Sequence, residues 1–485
     1  MAHGNPSPSA AKLNSPVSLA DIEYFSSTGA QVVSSNSPLD AKYNVDYFGK
    51  YFGDSEVILF PSSTEQVSKI LAYCNKNAIS VVTQGGNSGV AGGAIAQRGE
   101  IILNMRDMNK VRELDIISGV VIAEGGCILE DLDNHVREHG YIMPVDLGAK
   151  KKCMIGGNVS TSAGGLRYLR YGSMHGTVLG LEVVLPDGRI LDALFTLKKD
   201  ASGYDIKQLF IGAEGTLGVV TAVAVALAPK PKYAQIAVLG LKDFAKIQRA
   251  FVLARQNLGE IVSAFEFWEK RCNEIVVEHE IYPSPLNESH EFYVLIETRG
   301  SFARHDIEKM DMFLDCLREN ELIDEERVFR NAEEMEQTWL FRAQMATAHG
   351  KCGCMHVYDF SLPSKYQHEL LVAVKNHLQD AGLYGVEDAQ VKDVTIFGHI
   401  GDDNIHLQVI AQEFGGTVEE AMDPWVYKWV GGHGGSVAAE HGLGAYKGQF
   451  LKHSKTPVVI ETMKSLKQLL DPNNIMNPGK HISRA

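Results

Sequence analysis

The sequence predicts an α+β fold divided into several domains, and two observations carry that prediction. The chain has 485 residues, which is too long for a single hydrophobic core and indicates about two to four domains. Short β-rich runs alternate with helical segments in the first half, whereas longer amphipathic helices separate the strands of the second half. A composition of 45% hydrophobic and 22% charged residues is typical of globular domains.

Residues 17–232 are predicted to form the first domain, and residues 1–16 a flexible N-terminus. β-rich runs such as VILFP and GVVIAEGG alternate in this domain with helical segments such as residues 64–77. The apolar run at residues 217–228 is shorter than the roughly 20 residues of a membrane-spanning helix. We therefore expect a buried strand there and no membrane span.

Residues 233–416 are predicted to form a second domain, an antiparallel sheet covered by helices. Its predicted strands include AQIAVLGL, EFYVLIETRG and VYDFSLP, and its predicted helices span residues 243–258, 306–320 and 333–349. Residues 417–485 are predicted to form a C-terminal helical segment. This segment ends in LLDPNNIMNPGKHI, whose prolines and asparagines stop a helix and form a fixed turn.

Charge and cysteine content limit the partners and the compartment. A formal net charge of -14 argues against a nucleic-acid partner, because phosphate binding needs a basic surface. The seven cysteines are odd in number and lack framework spacing, so free thiols are expected. HGKCGCMH lacks the usual zinc spacing and is interpreted as loop and strand. Because the N-terminus lacks the composition of a targeting peptide, the cytoplasm is preferred to the mitochondrion.

Glycine-rich segments in the first domain indicate a large diphosphate cofactor. TQGGNSGVAGGA (83–94) follows the β-rich run ISVV, and IGGNVSTSAGGLRYLRYGS (155–173) and LFIGAEGTLG (209–218) add further glycines. Successive glycines expose backbone N–H groups and let the chain approach a phosphate closely. The first segment is not the G-x-G-x-x-G fingerprint of a nicotinamide-dinucleotide fold.

In combination, TQGGNSG, PVDLGAKKKCMIGGNVSTSAGGLRYLRYGSMHG and LFIGAEGTLG resemble the FAD-linked oxidases of the vanillyl-alcohol oxidase type. Within that family the chain resembles the D-2-hydroxyglutarate dehydrogenases over nearly its whole length. The resemblance implies a two-subdomain FAD-binding domain, an antiparallel-sheet substrate (cap) domain covered by helices, and a C-terminal helical segment that completes the flavin site. Because Ser88 and its neighbours offer no histidine for covalent attachment, non-covalent FAD is expected.

The resemblance also implies the residues that contact FAD. The first glycine loop would hold the pyrophosphate, and the later segments would surround the rest of the cofactor. The implied residues are Gly85, Gly86, Asn87, Ser88, Gly89, Pro144, Asp146, Gly157, Asn158, Thr161, Gly164, Gly165, Tyr171, Gly172, Glu214, Gly215, Val220 and Asn477.

GHIGDDNIHLQ (398–408) places two histidines around a turn. As a hairpin that turns at residues 401–404, it sets His399 opposite His406 and puts both imidazoles on one face with Gln408. Glu440 in SVAAEHGLG can supply a third ligand to zinc or another divalent metal. On the residues alone, ordinary half-buried histidines of a hairpin remain an alternative. HIGDDNIHL and AEHGLG resemble the family's metal motif, which implies His399, His406 and Glu440 as ligands.

The same resemblance implies the residues that act on the substrate. His441 is implied as the general base and a substrate contact. Arg342 is implied as the binder of the substrate carboxylate, which suits a planar guanidinium. Gln408 stands where the family has a substrate-contacting asparagine.

Two substitutions concern the substrate tail. Ala346 and Val357 stand where relatives that act on D-2-hydroxyglutarate have a threonine and a lysine. A pocket without that cation and that hydroxyl is less able to desolvate a second carboxylate. D-Lactate, or a D-2-hydroxy acid with an apolar tail, is therefore an alternative substrate.

The resemblance implies an FAD- and divalent-metal-dependent dehydrogenase that oxidises a D-2-hydroxy acid to the 2-oxo acid by hydride transfer to flavin. A catalytically silent flavoprotein scaffold and a zinc hydrolase are the alternative classes. The electron acceptor, which could be a flavoprotein, a quinone, a cytochrome or a 2-oxo acid, is left open, and so is a homodimer.

Overall fold

The computed structural model describes residues 17–35, 39–279 and 282–482. The flexible N-terminus predicted at residues 1–16 lies outside these residues. The described residues form two compact units: the first contains those up to 165, 172–230 and those from 440 onward, and the second contains 166–171 and those between 231 and 439.

Helices occur in both units, and local sequence signals determine where some of them begin. Helix α3, for example, begins after Ser63, whose side chain accepts a hydrogen bond from the Gln66 backbone N–H as an N-cap. The α-helices are α1 (Leu19–Ser27), α2 (Ala41–Asn44), α3 (Thr64–Lys76), α4 (Leu129–Arg137), α5 (Ile155–Ser160), α6 (Tyr168–Tyr171), α7 (Met174–Thr177), α8 (Phe244–Asn257), α9 (Lys270–Glu278), α10 (Ala303–Glu319), α11 (Ala332–Ala343), α12 (Met345–Cys352), α13 (Ser364–Asp380), α14 (Gly416–Gly432) and α15 (Pro457–Leu470). Short 3₁₀ helices span Ile206–Leu209, Ile400–Asp402 and Lys447–His453.

In the part of the chain that the structure describes, the strands form three sheets of more than two strands and one two-stranded pair. They are β1 (Gln31–Ser34), β2 (Val57–Phe60), β3 (Val81–Gln84), β4 (Ile101–Asn104), β5 (Val111–Asp115), β6 (Val120–Glu124), β7 (Tyr141–Ile142), β8 (Val178–Val184), β9 (Ile190–Ala193), β10 (Val219–Ala226), β11 (Ala228–Pro229), β12 (Tyr233–Leu241), β13 (Val262–Glu269), β14 (Phe292–Gly300), β15 (Glu325–Phe329), β16 (Cys354–Ser361), β17 (Val391–His399) and β18 (Asn404–Ala411).

Among the described residues, the first unit contains two larger sheets and the two-stranded pair of β7 and β11. The four-stranded sheet has the order β1-β2-β4-β3, in which β2, β4 and β3 are parallel, and the five-stranded sheet has the order β5-β6-β10-β8-β9. Strand β10 is buried along almost its whole length. This confirms the prediction of a buried strand within residues 217–228.

The second unit is built on a seven-stranded antiparallel sheet with the order β15-β12-β14-β13-β17-β18-β16. The predicted antiparallel sheet with covering helices is thereby confirmed. One helix prediction is wrong, because residues 333–349 form two helices, α11 and α12, that meet at Gln344. Residues 345–352 are helical, so the loop predicted in HGKCGCMH is also wrong, whereas the strand that follows is present.

None of the seven cysteines forms a disulfide. Among the described residues, no helix combines the length and the apolar character needed to cross a membrane.

Candidate functional site

The predicted histidine hairpin consists of β17 and β18, but its register differs from the prediction. His399 pairs with Asn404, and His406 pairs with Phe397, so His399 does not lie directly opposite His406. The turn comes one residue earlier than expected, because Ile400–Asp402 form a 3₁₀ helix and Asp403 adopts a left-handed conformation with φ of 64°. The register shift is two residues, so both histidines remain on the same face.

The two imidazoles converge on that face. The Nε2 atoms of His399 and His406 lie 3.2 Å apart, and both residues are buried. His399 Nδ1 lies 2.7 Å from Glu266 Oε1. The contact suits a hydrogen on His399 Nδ1 that is donated to the carboxylate oxygen, and a neutral imidazole in this tautomer has its lone pair on Nε2.

A second buried carboxylate lies beside His406. Asp359 pairs with His406 across β16 and β18, and its Oδ1 lies 3.6 Å from His406 Nδ1. Asp359 also accepts hydrogen bonds from the Asn404 side chain at 2.8 Å and from the Ala439 backbone N–H at 3.1 Å. The sequence analysis missed Asp359, although a lone acid between Tyr358 and Phe360 in a predicted strand was a usable signal.

Arg342 is buried rather than solvated. Helix α11 carries it, and its guanidinium lies 4.7 Å from the centre of the Phe397 ring and 2.8 Å, through Nη2, from Glu266 Oε2. Its Nε and Nη2 atoms make no hydrogen bond to any described residue. A buried guanidinium with unused N–H groups suits an anionic ligand.

Glu266 is the second residue that the sequence analysis missed. It is 1% exposed and lies on the central strand β13, opposite His399 in the register between β13 and β17. Its two carboxylate oxygens contact His399 and Arg342. An acid within the apolar run AFEFW was the signal that could have identified it.

The residues proposed to surround the substrate tail lie on the same sheet. Gln408 pairs with Val357 on one side and with Thr395 on the other. Gln408 is 2% exposed, and its Oε1 has no hydrogen-bond partner among the described residues. Ala346 lies in α12 and is half-buried, as is Val357.

Glu440 and His441 belong to the first unit. The Gly165 backbone N–H donates to Glu440 Oε2 at 2.9 Å. A carboxylate oxygen of Glu440 and a ring nitrogen of His441 lie within 4.8 Å of each other. The structure therefore brings together His399 with His406 in one unit, and Glu440 with His441 in the other.

The predicted flavin residues lie in the first unit, except Tyr171, which belongs to the segment 166–171 of the second. Among the predicted flavin residues, Asn87, Glu214 and Asn477 have positive φ, as does Ser162, which follows Thr161. Backbone strain of this kind is concentrated at ligand sites. At Gly86 the backbone packs so closely that an added Cβ would lie 1.8 Å from the Lys152 carbonyl oxygen.

Two predicted flavin residues have unused acceptors. Asn158 Oδ1 and Asn477 Oδ1 are buried, and neither has a hydrogen-bond partner among the described residues. Asn477 is held in place because its Nδ2 donates to the Glu214 carbonyl oxygen and its backbone N–H donates to the Val81 carbonyl oxygen. Buried amide oxygens without partners suit the N–H groups of a bound ligand such as a flavin.

Glu214 holds the C-terminal segment of the first unit. Its carboxylate accepts from the backbone N–H groups of Leu443 and Gly444 and lies 2.9 Å from His481 Nδ1. Burial acts to raise the pKa of Glu214, but the charge and hydrogen bond of His481 and the backbone N–H donors outweigh it and lower that pKa. Glu214 is therefore a structural anion beside Asn477.

A buried ion pair anchors residues 166–171 within the second unit. Arg167 donates to Glu297 through Nε at 2.9 Å and through Nη2 at 3.1 Å, and Arg299 also contacts this carboxylate. Burial acts to raise the pKa of Glu297, but the two guanidinium groups lower it well below its usual value.

Comparisons with known proteins identify the class to which this chain belongs. Residues 55–194 match the FAD binding domain, and residues 230–481 match the FAD linked oxidases, C-terminal domain. The second match covers more than half of the chain, so the chain belongs to the family of FAD-linked oxidases.

Similar relatives define the branch of this family. The chain is 42% identical over 466 residues to a D-2-hydroxyglutarate–pyruvate transhydrogenase of Saccharomyces cerevisiae, covering 95% of this chain and 94% of that protein. It is 44% identical over 437 residues to a mitochondrial D-2-hydroxyglutarate dehydrogenase of Bos taurus, covering 90% and 78%. A candidate mitochondrial D-lactate dehydrogenase of Schizosaccharomyces pombe is 43% identical over 446 residues, covering 92% and 85%.

The fold is also that of solved flavoproteins. Substrate-bound p-cresol methylhydroxylase superimposes with a TM-score of 0.74 at 15% identity and covers 98% of this chain and 99% of that one. A 4-ethylphenol oxidase of Gulosibacter chungangensis has a TM-score of 0.70 at 18% identity, covering 97% and 98%. At these identities the likeness concerns the fold alone. The predicted vanillyl-alcohol oxidase-type fold is confirmed.

Proposed function

We propose that this chain is an FAD- and divalent-cation-dependent dehydrogenase that oxidises a D-2-hydroxy acid to the corresponding 2-oxo acid. One observation carries the proposal: in a member of an FAD-binding family, His399 converges with His406 and shares the carboxylate of Glu266 with the buried Arg342, whose Nε has no hydrogen-bond partner among the described residues. The histidines suit a cation, and the arginine suits a carboxylate.

FAD is held by the predicted residues of the first unit, and non-covalently. The glycine loop at residues 85–89 offers backbone N–H groups to the pyrophosphate, while Asn158 and Asn477 offer amide oxygens. Bound FAD supplies the acceptor for the hydride that leaves C2 of the substrate. The protein itself orients the substrate and manages the hydroxyl proton.

The cation is held by His399, His406 and Glu440. Two imidazoles and one carboxylate, with positions left open, are the donor set of a catalytic zinc site. Glu440 Oε2 accepts from Gly165, which orients the carboxylate. A divalent cation held there would supply positive charge beside the substrate, which would lower the pKa of the substrate hydroxyl.

The proton of the hydroxyl is taken by His441, which follows Glu440 in the chain. The substrate carboxylate is bound by Arg342, whose Nε has no hydrogen-bond partner among the described residues. Gln408 contacts the substrate through its unpaired amide oxygen. The tail of the substrate faces Val357 and Ala346, which favours D-lactate or an apolar tail over D-2-hydroxyglutarate.

The proposed electron acceptor is a 2-oxo acid. The yeast relative, whose identity extends over 95% of this chain, is named as a transhydrogenase that uses pyruvate. In that reaction the electrons from the hydroxy acid reduce a 2-oxo acid to its hydroxy acid, and no further oxidant is consumed. Relatives named as mitochondrial lend no support to the preference for the cytoplasm.

Anaerobic reduction of the purified protein tests the proposal. A yellow protein should bleach with one D-2-hydroxy acid, should not bleach with the L-enantiomer, and should lose this reactivity after treatment with a chelator. A second mixing step with pyruvate should restore the yellow colour if a 2-oxo acid is the acceptor. A colourless protein would favour the zinc hydrolase, and a yellow protein that no hydroxy acid reduces would favour the silent scaffold.

A further inference from the structure

We propose that Glu266 is a positioning residue that makes binding of the anionic substrate depend on prior or simultaneous binding of the cation. This inference rests on the proposed function. It assigns Glu266 a role that neither the motifs nor the comparisons give it.

The geometry places one carboxylate between two functional groups. Glu266 Oε1 lies 2.7 Å from His399 Nδ1, and Glu266 Oε2 lies 2.8 Å from Arg342 Nη2. All three residues are buried, and the carboxylate is 1% exposed. Water therefore screens the charge of Glu266 only weakly. That charge acts both on His399, the proposed cation ligand, and on Arg342, the proposed binder of the substrate carboxylate.

The contact with His399 favours cation binding. With its hydrogen held on Nδ1, His399 directs the lone pair of Nε2 to the same side as His406, whose Nε2 is 3.2 Å away. Two zinc–nitrogen bonds of about 2.0–2.1 Å at a tetrahedral angle separate the two nitrogens by roughly 3.3 Å. The carboxylate also makes the imidazole a more basic ligand.

The contact with Arg342 disfavours binding of an anion when no cation is present. Glu266 offsets the charge of Arg342, and Asp359 adds a second buried carboxylate beside His406. Arg342 therefore already has an anionic partner, and an anionic substrate gains less from this guanidinium until a divalent cation adds positive charge to the site.

Thermodynamic linkage makes this dependence reciprocal. If the cation raises the affinity for the acid, the acid must raise the affinity for the cation by the same factor. Couplings between sites are typically about 5- to 150-fold. We expect a factor in this range between zinc and pyruvate, a 2-oxo acid that oxidised flavin does not consume.

Isothermal titration of the flavin-loaded, chelator-treated protein measures the coupling. Wild-type protein should bind pyruvate about 5- to 150-fold more tightly when saturated with zinc. Glu266→Gln should weaken zinc binding by about 10- to 100-fold. It should also strengthen pyruvate binding to the zinc-free protein, because Arg342 then loses its neutralising partner.

Glu266→Gln is expected to weaken zinc binding but to strengthen pyruvate binding to the zinc-free protein, and this opposite effect distinguishes a positioning role from a purely structural one. If Glu266 only held the pocket together, the substitution would weaken zinc and pyruvate binding alike, and that result would overturn the inference. Glu266→Asp, which keeps the charge, should retain more of the coupling than Glu266→Gln. Glu269→Gln is the matched control, because Glu269 lies on the same strand but points to the other face; both affinities should remain as in the wild type.

The wild-type titration alone keeps the inference testable even if the variants do not fold. Equal pyruvate affinity with and without zinc would overturn the inference, and reduction of the flavin by a D-2-hydroxy acid in the same preparation would show that the dehydrogenase proposal itself stands. Wild-type protein that binds no zinc and is still reduced by a D-2-hydroxy acid would overturn the cation dependence in the proposed function.

Discussion

The Nε2 atoms of His399 and His406 lie 3.2 Å apart although the two residues are not partners in the hairpin register. His399 pairs with Asn404, and its side chain meets that of His406 diagonally across the two strands. The convergence therefore depends on the side chains that orient the rings, Glu266 for His399 and Asp359 for His406.

Replacing one of these histidines should remove the cation without removing the flavin. We expect His406→Ala to keep the yellow colour and to retain less than about a tenth of the zinc of the wild type, because a chelating ligand is lost. Zinc per flavin, measured by elemental analysis, checks this. His139→Ala, at an exposed histidine, is the control and should keep its zinc. Full zinc content in the His406 variant would exclude this residue as a ligand.

Replacing His441 should reduce turnover without affecting the binding of flavin or zinc. We expect His441→Ala to keep its flavin and its zinc and to lose activity by about 10²- to 10⁴-fold, the usual contribution of a general base. The flavin spectrum, the zinc content and the rate of anaerobic flavin reduction check this. A variant as active as the wild type would show that the base lies elsewhere.

Arg342 should determine the affinity for the substrate carboxylate. Arg342→Lys keeps the charge but loses the planar donor pair, so we expect kcat/KM to fall by roughly 10- to 100-fold, mainly through KM. Steady-state kinetics with the best D-2-hydroxy acid check this. Arg327→Lys, at an arginine with a half-exposed side chain on β15, should behave as the wild type. An unchanged KM in Arg342→Lys would exclude a direct contact with the carboxylate.

Val357 should affect the choice of substrate tail. It pairs with Gln408 on the strand that also carries His406, so Val357→Lys adds a cation near the proposed tail pocket. We expect the ratio of kcat/KM for D-2-hydroxyglutarate to that for D-lactate to rise by at least about tenfold. Val357→Met adds length without charge and should not raise the ratio. A ratio that stays constant in the lysine variant would show that the tail binds elsewhere.

Glu269 should lower the stability of the protein at neutral pH. Burial raises the pKa of Glu269 to about 7, although the Ile396 N–H and Lys375 oppose this shift. The ordinary pKa of a glutamate side chain, which applies to Glu269 in the unfolded state, is 4.5. Between this value and about 7 the folded state binds more protons than the unfolded state, so the free energy of unfolding falls as the pH rises through that window. Glu269→Gln removes this dependence.

Thermal unfolding at two pH values checks the prediction for Glu269. We expect the Glu269→Gln variant to exceed the wild type in unfolding midpoint by roughly 2–8 °C at pH 8, and by much less at pH 5. A difference of the same size at both pH values would mean that the carboxyl group does not titrate in this window.

Several features could be predicted from the sequence because their signals are local. The antiparallel sheet of the second unit follows from alternating runs with β-branched and aromatic residues. The common face of His399 and His406 follows from the alternation of side chains along a strand. The predicted register was wrong by two residues, but a shift by an even number keeps both side chains on the same face, so this prediction remained correct. The glycine-rich segments and their motifs were sufficient to indicate FAD and the family.

The tertiary structure alone decided how these groups are charged and oriented. Glu266 and Arg342 lie 76 positions apart in sequence, on β13 and α11, and Glu266 and His399 lie 133 apart. Their contacts exist because a helix packs on a sheet whose strand order is not the sequence order. Burial and charge compensation are properties of that packing, and no local pattern in the chain encodes them.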